Sequence, residues 1–156
     1  MHSASAAQTS LVTEAIVNLP VADAWQLFIG EAGLKSLGYT SAKTELQLGG
    51  QWQAGGGAVA LNSINAQIIS FDPERMLSFK PAGDQSNNQW AVLYFTAMGK
   101  DMTQLRWLEF FPESDSAAVK SHQLQVRKLF DQLIRRYAPE CEVCKLEKES
   151  VSTKSQ

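Results

Sequence analysis

Histidine and cysteine are scarce here, with two of each in 156 residues. His2 stands at the N-terminus, which leaves His122 as the one usable imidazole, and no His-x-x-x-His or His-Glu-x-x-His spacing occurs. A metal site would have to be filled by carboxylates, so none is expected. Cys141 and Cys144 form a lone C-x-x-C in a charged tail with Lys145, Glu147, Lys148 and Glu149. Two thiolates make half of a structural zinc site, and a thioredoxin-type pair belongs between a strand and a helix start. The expectation is a tail thiol pair without a central role, able to close a small ring or link two chains in an oxidising compartment.

Other absences narrow the function further. The glycine cluster from Gly49 to Gly57 has no Lys-Ser/Thr after it and no G-x-G-x-x-G spacing, so it reads as turns or bulges in a bent sheet, and no cofactor is implied. Gly-x-Ser-x-Gly is absent, so no nucleophile elbow is presented. A net charge of −2 supplies no field for nucleic acid. Apolar runs fall far short of the ~20 residues that span a bilayer. Met1 to Ser10 has neither a positive n-region nor an apolar h-region and is not a signal peptide as written. The expected compartment is therefore the cytoplasm. The small-x-small triplet Ala4-Ser5-Ala6 keeps open an exported, periplasmic alternative with the export signal upstream.

What the chain does have is apolar material in ordered patterns. Hydrophobic residues make up 44% and charged residues 19%, enough for a real core and against wholesale disorder. The strongest pattern is residues 115–138. Val119, His122, Val126, Leu129, Phe130, Leu133 and Tyr137 recur at helical spacing on one side, and Lys120, Arg127, Lys128, Asp131 and Arg135 fall on the other. Ser114 or Asp115 can cap the start, Arg135 and Arg136 suit the last turn, and Pro139 stops the helix. A long helix with one apolar face needs an apolar surface to cover.

Upstream, Leu11 to Leu19 reads as a strand ending at Pro20, which suits a helix start. Val21, Trp25 and Phe28 repeat at helical spacing, Gly30 interrupts, and Glu31 to Leu37 makes a second short helix. Ser41 to Leu48 alternates with period two, with Thr44, Leu46 and Leu48 on one side. Gln51 to Gln53, Ala58 to Asn62, Ile64 to Phe71, Met76 to Lys80, Trp90 to Ala97 and Met102 to Phe111 follow as extended runs. Asp72-Pro73-Glu74-Arg75 reads as a turn, Pro81 to Asn88 as a polar loop, and Met98 to Asp101 as a hairpin. Strands grouped between helices predict α+β with an antiparallel sheet. The organisation read from this is a flexible segment 1–9, a domain 10–139 and a charged tail 140–156.

Several of these runs, in this order, resemble a known family. The strand Val12 to Val17 followed by Pro20 and Trp25 is similar to the opening of the SRPBCC superfamily, the START-like and Bet v 1-like proteins. More narrowly it resembles the branch related to the activator of Hsp90 ATPase. Glu45-Leu46-Gln47-Leu48-Gly49-Gly50-Gln51-Trp52 matches that branch's strand, Gly-Gly, aromatic signature. The resemblance continues at Ile69 to Phe79, at Phe95 and at Thr103-Gln104-Leu105, and ends with the long helix. It implies a helix-grip fold, a curved antiparallel sheet wrapped around the C-terminal helix, with two short helices after the first strand and a hydrophobic cavity inside. Members bind lipids, hormones or aromatic compounds, and some act as cyclases, hydrolases or co-chaperones. Two departures alter the residues expected at the cavity's mouth. Leu37-Gly38-Tyr39 stands where the branch often has a Trp pair, and Leu108-Glu109-Phe110-Phe111-Pro112 where it often has a small Gly- or His-containing stretch.

In the last strand Leu105, Trp107, Glu109 and Phe111 share one face. If that face meets the helix, Glu109 is a carboxylate in an apolar setting that can approach His122. Burial raises a Glu pKa and lowers a His pKa, and an ion pair between them opposes both shifts. The expected walls of a ligand cavity are Trp25, Phe28, Leu105, Trp107, Val126, Phe130 and Leu133, with Glu109 and His122 as polar anchors. The expected function is binding of a small hydrophobic or amphipathic molecule. A cyclase, dehydratase or hydrolase using Glu109 and His122 is the enzyme alternative. A co-chaperone-like interaction module ranks third, because the chain shows no second domain to hold a chaperone.

Overall fold

Proline and glycine set the first boundaries. The computed structural model describes residues 8–56, 63–83, 89–112 and 116–137. Strand β1 (Gln8–Val17) ends just before Pro20, which leads into helix α1 (Val21–Ile29). Gly30 closes α1 and opens α2 (Glu31–Ser36). Then come β2 (Ser41–Thr44), β3 (Gln51–Gly55), β4 (Ile64–Asp72), β5 (Met76–Pro81), β6 (Trp90–Ala97), β7 (Thr103–Pro112) and helix α3 (Ser116–Tyr137). The strands form one antiparallel seven-stranded sheet in the order β1-β7-β6-β5-β4-β3-β2, curved around α3. This is the α+β helix-grip architecture expected from the sequence.

Most boundaries shift by one or two residues from the sequence reading, and two shift further. β1 spans Gln8–Val17 rather than Leu11–Leu19. The Ser41–Leu48 run is a strand only to Thr44. Beyond it the Gln47 amide donates to the Glu45 carbonyl at 2.8 Å, the Gly50 amide donates to the Gln47 carbonyl at 2.9 Å, and Gly49 takes a φ of 78°. A Cβ at Gly50 would run into the Glu45 carbonyl, so this turn is tight enough to need glycine. Leu46 and Leu48 therefore lie exposed in a turn, although their alternation read as the continuation of a strand. The expected strand Ala58–Asn62, the caps Ser114 and Asp115, and the tail with Cys141 and Cys144 lie outside the described residues.

Strand alternation separates the two faces of the sheet. Leu105, Trp107, Glu109 and Phe111 of β7 are buried, as are Leu93 and Phe95 of β6, Leu77 and Phe79 of β5, and Trp52 of β3. On the outer face Arg106 of β7 meets Glu14 of β1 at 3.0 Å, both half exposed, an ion pair worth at most ~1 kcal/mol. The helix stripe Val126, Leu129, Phe130 and Leu133 is buried, with Phe130 edge-on to Trp107 at a centroid distance of 6.2 Å.

One end of this grip is sealed. The ring of Phe95 packs edge-on against Trp25 and Phe28 of α1, at 5.1 and 5.8 Å. The Trp52 indole N–H donates to the Phe28 carbonyl at 2.7 Å, which ties the last turn of α1 to β3. Thr103 donates its hydroxyl to the Leu19 carbonyl at 2.8 Å. The Asn18 amide donates to the Tyr137 carbonyl at 2.6 Å, and the Arg136 guanidinium donates to the Ser36 carbonyl. The C-terminal end of α3 is thus locked to β1 and α2.

The stripe assignment has a direct test in adjacent positions on α3. Leu133 is fully buried and Ile134 is 40% exposed. Leu133→Ala should cost about 2–5 kcal/mol by urea denaturation, and Ile134→Ala should stay within about 1 kcal/mol. Equal losses would place the helix in the wrong rotation.

A candidate ligand cavity at the open end of the grip

The strand register explains why the other end is hollow. One row of paired residues crosses the sheet as Leu11, Glu109, Ala91, Phe79 and Ile68. The next row towards the sealed end runs Thr13, Trp107, Leu93, Leu77 and Phe71. Where the second row carries Leu93, the first carries Ala91. Ala66 of β4, paired with Pro81, also faces inward with a single methyl group. Small side chains under a straight helix leave volume unfilled. A cavity of about 210 Å³ lies here, beneath the part of α3 carrying Gln125, Val126 and Leu129. Ala66, Phe79, Ala91 and Trp107 form the sheet side, and Tyr39, just after α2, joins the lining.

Glu109 is the group in this cavity that can do most chemistry. It lines the space and is only 6% exposed. The Trp107 indole N–H donates to Glu109 Oε1 at 2.9 Å, as two residues apart on one strand face allow. A buried carboxylate is tolerated where hydrogen bonds replace its lost water. Trp107 belongs to an aromatic cluster, edge-on to Phe79 at 5.0 Å and 6.2 Å from Trp52, so its indole has little freedom to turn. Tyr39 is also buried. Desolvation pushes its phenol up to about 12, so the hydroxyl stays neutral at any physiological pH.

Of the residues read from the sequence as ligand-binding, Trp107, Glu109 and Val126 line the cavity together. Trp25, Phe28, Leu105, Phe130 and Leu133 are buried in the core behind it and are not among the lining residues. His122 lies on α3 one turn before Val126, and its side chain is outside the described part of the structure. Among the lining residues that sequence reasoning left out of the site are Tyr39, Ala66, Phe79, Ala91, Gln125 and Leu129. The two alanines carry the useful signal, since each is a small residue at an inward strand position between larger ones. Among the described residues no group of three metal-ligating side chains occurs, and no helix is long and apolar enough to cross a membrane.

No family model and no curated protein sequence matches the chain. Solved structures do. An HSP90 activator from Plasmodium falciparum aligns with a TM-score of 0.63 at 13% identity, covering 80% of this chain and 92% of its own. CalU16 from Micromonospora echinospora aligns with a TM-score of 0.62 at 18% identity, covering 90% and 82%. The Aha1 dimer from Colwellia psychrerythraea gives 0.60 at 10% identity, covering 80% and 96%. The chain thus has the fold of Aha1-like proteins, and these low identities speak to fold alone.

Tyr39 makes the burial of the cavity wall measurable. A phenol whose folded pKa is raised keeps its proton where the unfolded chain loses it, so stability is full below pH ~10 and falls as pH rises towards ~12. The loss attributable to Tyr39 should approach roughly 2–3 kcal/mol across that window. Urea unfolding at about pH 9 and about pH 11 should show a smaller alkaline loss for Tyr39→Phe than for the parent chain. Equal losses would mean that Tyr39 meets water.

Proposed function

We propose that this protein holds a small hydrophobic or amphipathic molecule in the cavity between its sheet and α3. The observation that carries the reading is the hollow over Ala66 and Ala91, walled by Phe79, Trp107, Val126 and Leu129, with Glu109 on its inner surface. Apolar walls with a few convergent polar groups are the usual make-up of a ligand site, in which the walls supply affinity and the polar groups orientation. The volume of about 210 Å³ sets the scale of what fits wholly inside. An apolar cavity of about 150 Å³ takes benzene, so the enclosed part of the ligand is one ring or a short chain. In this reading Trp25, Phe28, Leu105, Phe130 and Leu133 belong to the core that holds the cavity's walls in place, and His122 of α3 is proposed as a second polar anchor.

Two other readings remain within reach of the same experiment. A reaction would use Glu109 and His122 for proton transfer. A chaperone partner is suggested by the fold shared with an HSP90 activator, and it requires a surface that alters an ATPase. Native mass spectrometry of the purified chain should show a co-purifying small molecule or uptake of a one-ring probe. Ala91→Phe, which fills the hollow, should abolish that uptake while the far-ultraviolet circular dichroism stays the same. Uptake unchanged in Ala91→Phe would move the site elsewhere, and an effect on a chaperone ATPase without any uptake would favour the partner reading.

A further inference from the structure

β3 ends on a glycine that its backbone does not require. Gly55 pairs with Ser41 of β2, and its φ lies outside the left-handed region that Gly56 enters at 71°. A glycine in a strand weakens it and often marks a place where another molecule comes close. A Cβ built on Gly55 would sit 3.5 Å from the Ser41 hydroxyl oxygen and 3.8 Å from that of Ser63. Two hydroxyls thus flank a position that holds no side chain.

The row beside Gly55 adds charge. By strand alternation Ser41 and Lys43 of β2, Gln53 and Gly55 of β3, and Ser63 and Asn65 around the start of β4 share one side of the sheet. It is the side away from buried Trp52, Ala54 and Ala66. These residues line a groove of about 460 Å³, which adjoins the ligand cavity at the sheet's rim through Ser63, Ile64 and Asn65. Lys43 is the one charged residue among the described residues of the lining, and it makes no ion pair with another described residue. Gln53 Nε2 donates to Asn65 Oδ1 at 3.1 Å, which leaves the Asn65 amide nitrogen as a donor. Ser41 donates to the Gly55 carbonyl at 3.2 Å. That carbonyl also accepts from the Thr40 amide at 3.0 Å and the Thr40 hydroxyl at 3.3 Å, so Ser41 can turn its O–H to a ligand without orphaning it. Glu45, just past β2, is not among the lining residues and accepts from the Gln51 amide at 3.3 Å.

We infer that this groove is a second binding site, which takes a phosphate group, free or at the end of a small organic molecule. Hydroxyls, an amide nitrogen and an ammonium donate to several oxygens at once, and the ammonium strengthens its bond by charge. A phosphate offers oxygens in more directions than a planar carboxylate, which suits donors standing on three strands. A cation meets no carboxylate among the described lining residues. An apolar group would strip water from these polar side chains and return no hydrogen bond.

The test is a titration at low ionic strength with inorganic phosphate, phenyl phosphate, acetate and glycerol, followed by the backbone amide resonance of Ser63. Phosphate should bind at least about threefold tighter than acetate, and glycerol should leave the resonance in place. Phenyl phosphate binding tighter than inorganic phosphate assigns the site to an organic phosphate, and equal binding assigns it to the free ion. Lys43→Met should weaken phosphate at least about fivefold. Gly55→Ala places its methyl group at ordinary contact distance from both hydroxyls, so it should melt no lower than the parent chain and still lose phosphate binding. If Gly55→Ala melts lower, the exposed Lys43 decides the matter alone. Phosphate binding unchanged in Lys43→Met, acetate or glycerol matching phosphate, or no shift up to roughly 20 mM phosphate would overturn the site. None of these results bears on uptake by the cavity, which the one-ring probe reads separately.

Discussion

A sheet of seven strands curved around one helix has more inner surface than that helix can cover. The rest of the structure follows from how the chain divides the task. At one end α1 and α2 lie against the sheet, Phe95 accepts Trp25 and Phe28, and the Trp52 indole fastens the end of α1. Bonds from Asn18 and Arg136 hold the last turn of α3 there. At the other end, among the described residues, α3 covers the sheet with Tyr39 beside it. The inner row there has alanine where its neighbour has leucine. Hollow space is costly because its lining loses dispersion contacts that a packed core would make. A chain that keeps alanines at Ala66 and Ala91 forgoes stability that larger side chains would supply.

Glu109 deepens the same point. A carboxylate in an apolar strand face lowers stability unless its hydrogen bonds are well made, and an apolar residue of similar size is often neutral or better. Here the strand places Trp107 two residues away on the same face, and the aromatic cluster with Phe79 and Phe130 holds that indole in place. The polar group and the void of about 210 Å³ share one part of the core, beneath Gln125, Val126 and Leu129 of α3. A buried carboxyl group and unfilled volume thus coincide in one part of the core, and the ligand reading proposed above rests on that coincidence.

Much of the fold was legible in the sequence because its signals were long and periodic. The stripe from Val126 to Leu133 and the alternation of Leu105, Trp107, Glu109 and Phe111 repeat often enough to show both element type and shared face, whereas Trp90–Ala97 was legible as a strand alone. The reading of Ser41–Leu48 failed because alternation of Leu46 and Leu48 reports spacing and not burial, and the turn requirements of Gly49 and Gly50 outweighed it. In the site, Trp107, Glu109 and Val126 could be named because each sits on a strongly periodic face. Tyr39 could not, and the alanines signal a hollow only once their place across the sheet is known. A cavity is defined by what side chains across several strands fail to fill, and cross-strand register is set by turns and bulges such as the one at Ile68–Ser70, not by any single segment.

The central claim is that the space over Ala91 is empty enough, and apolar enough, to admit a guest. A crystal of the protein pressurised with xenon tests it without knowledge of the natural ligand. The account predicts a xenon peak bounded by Phe79, Ala91, Trp107 and Val126, with the surrounding side chains unmoved. Continuous side-chain density through that volume, with xenon absent from it, would contradict the account.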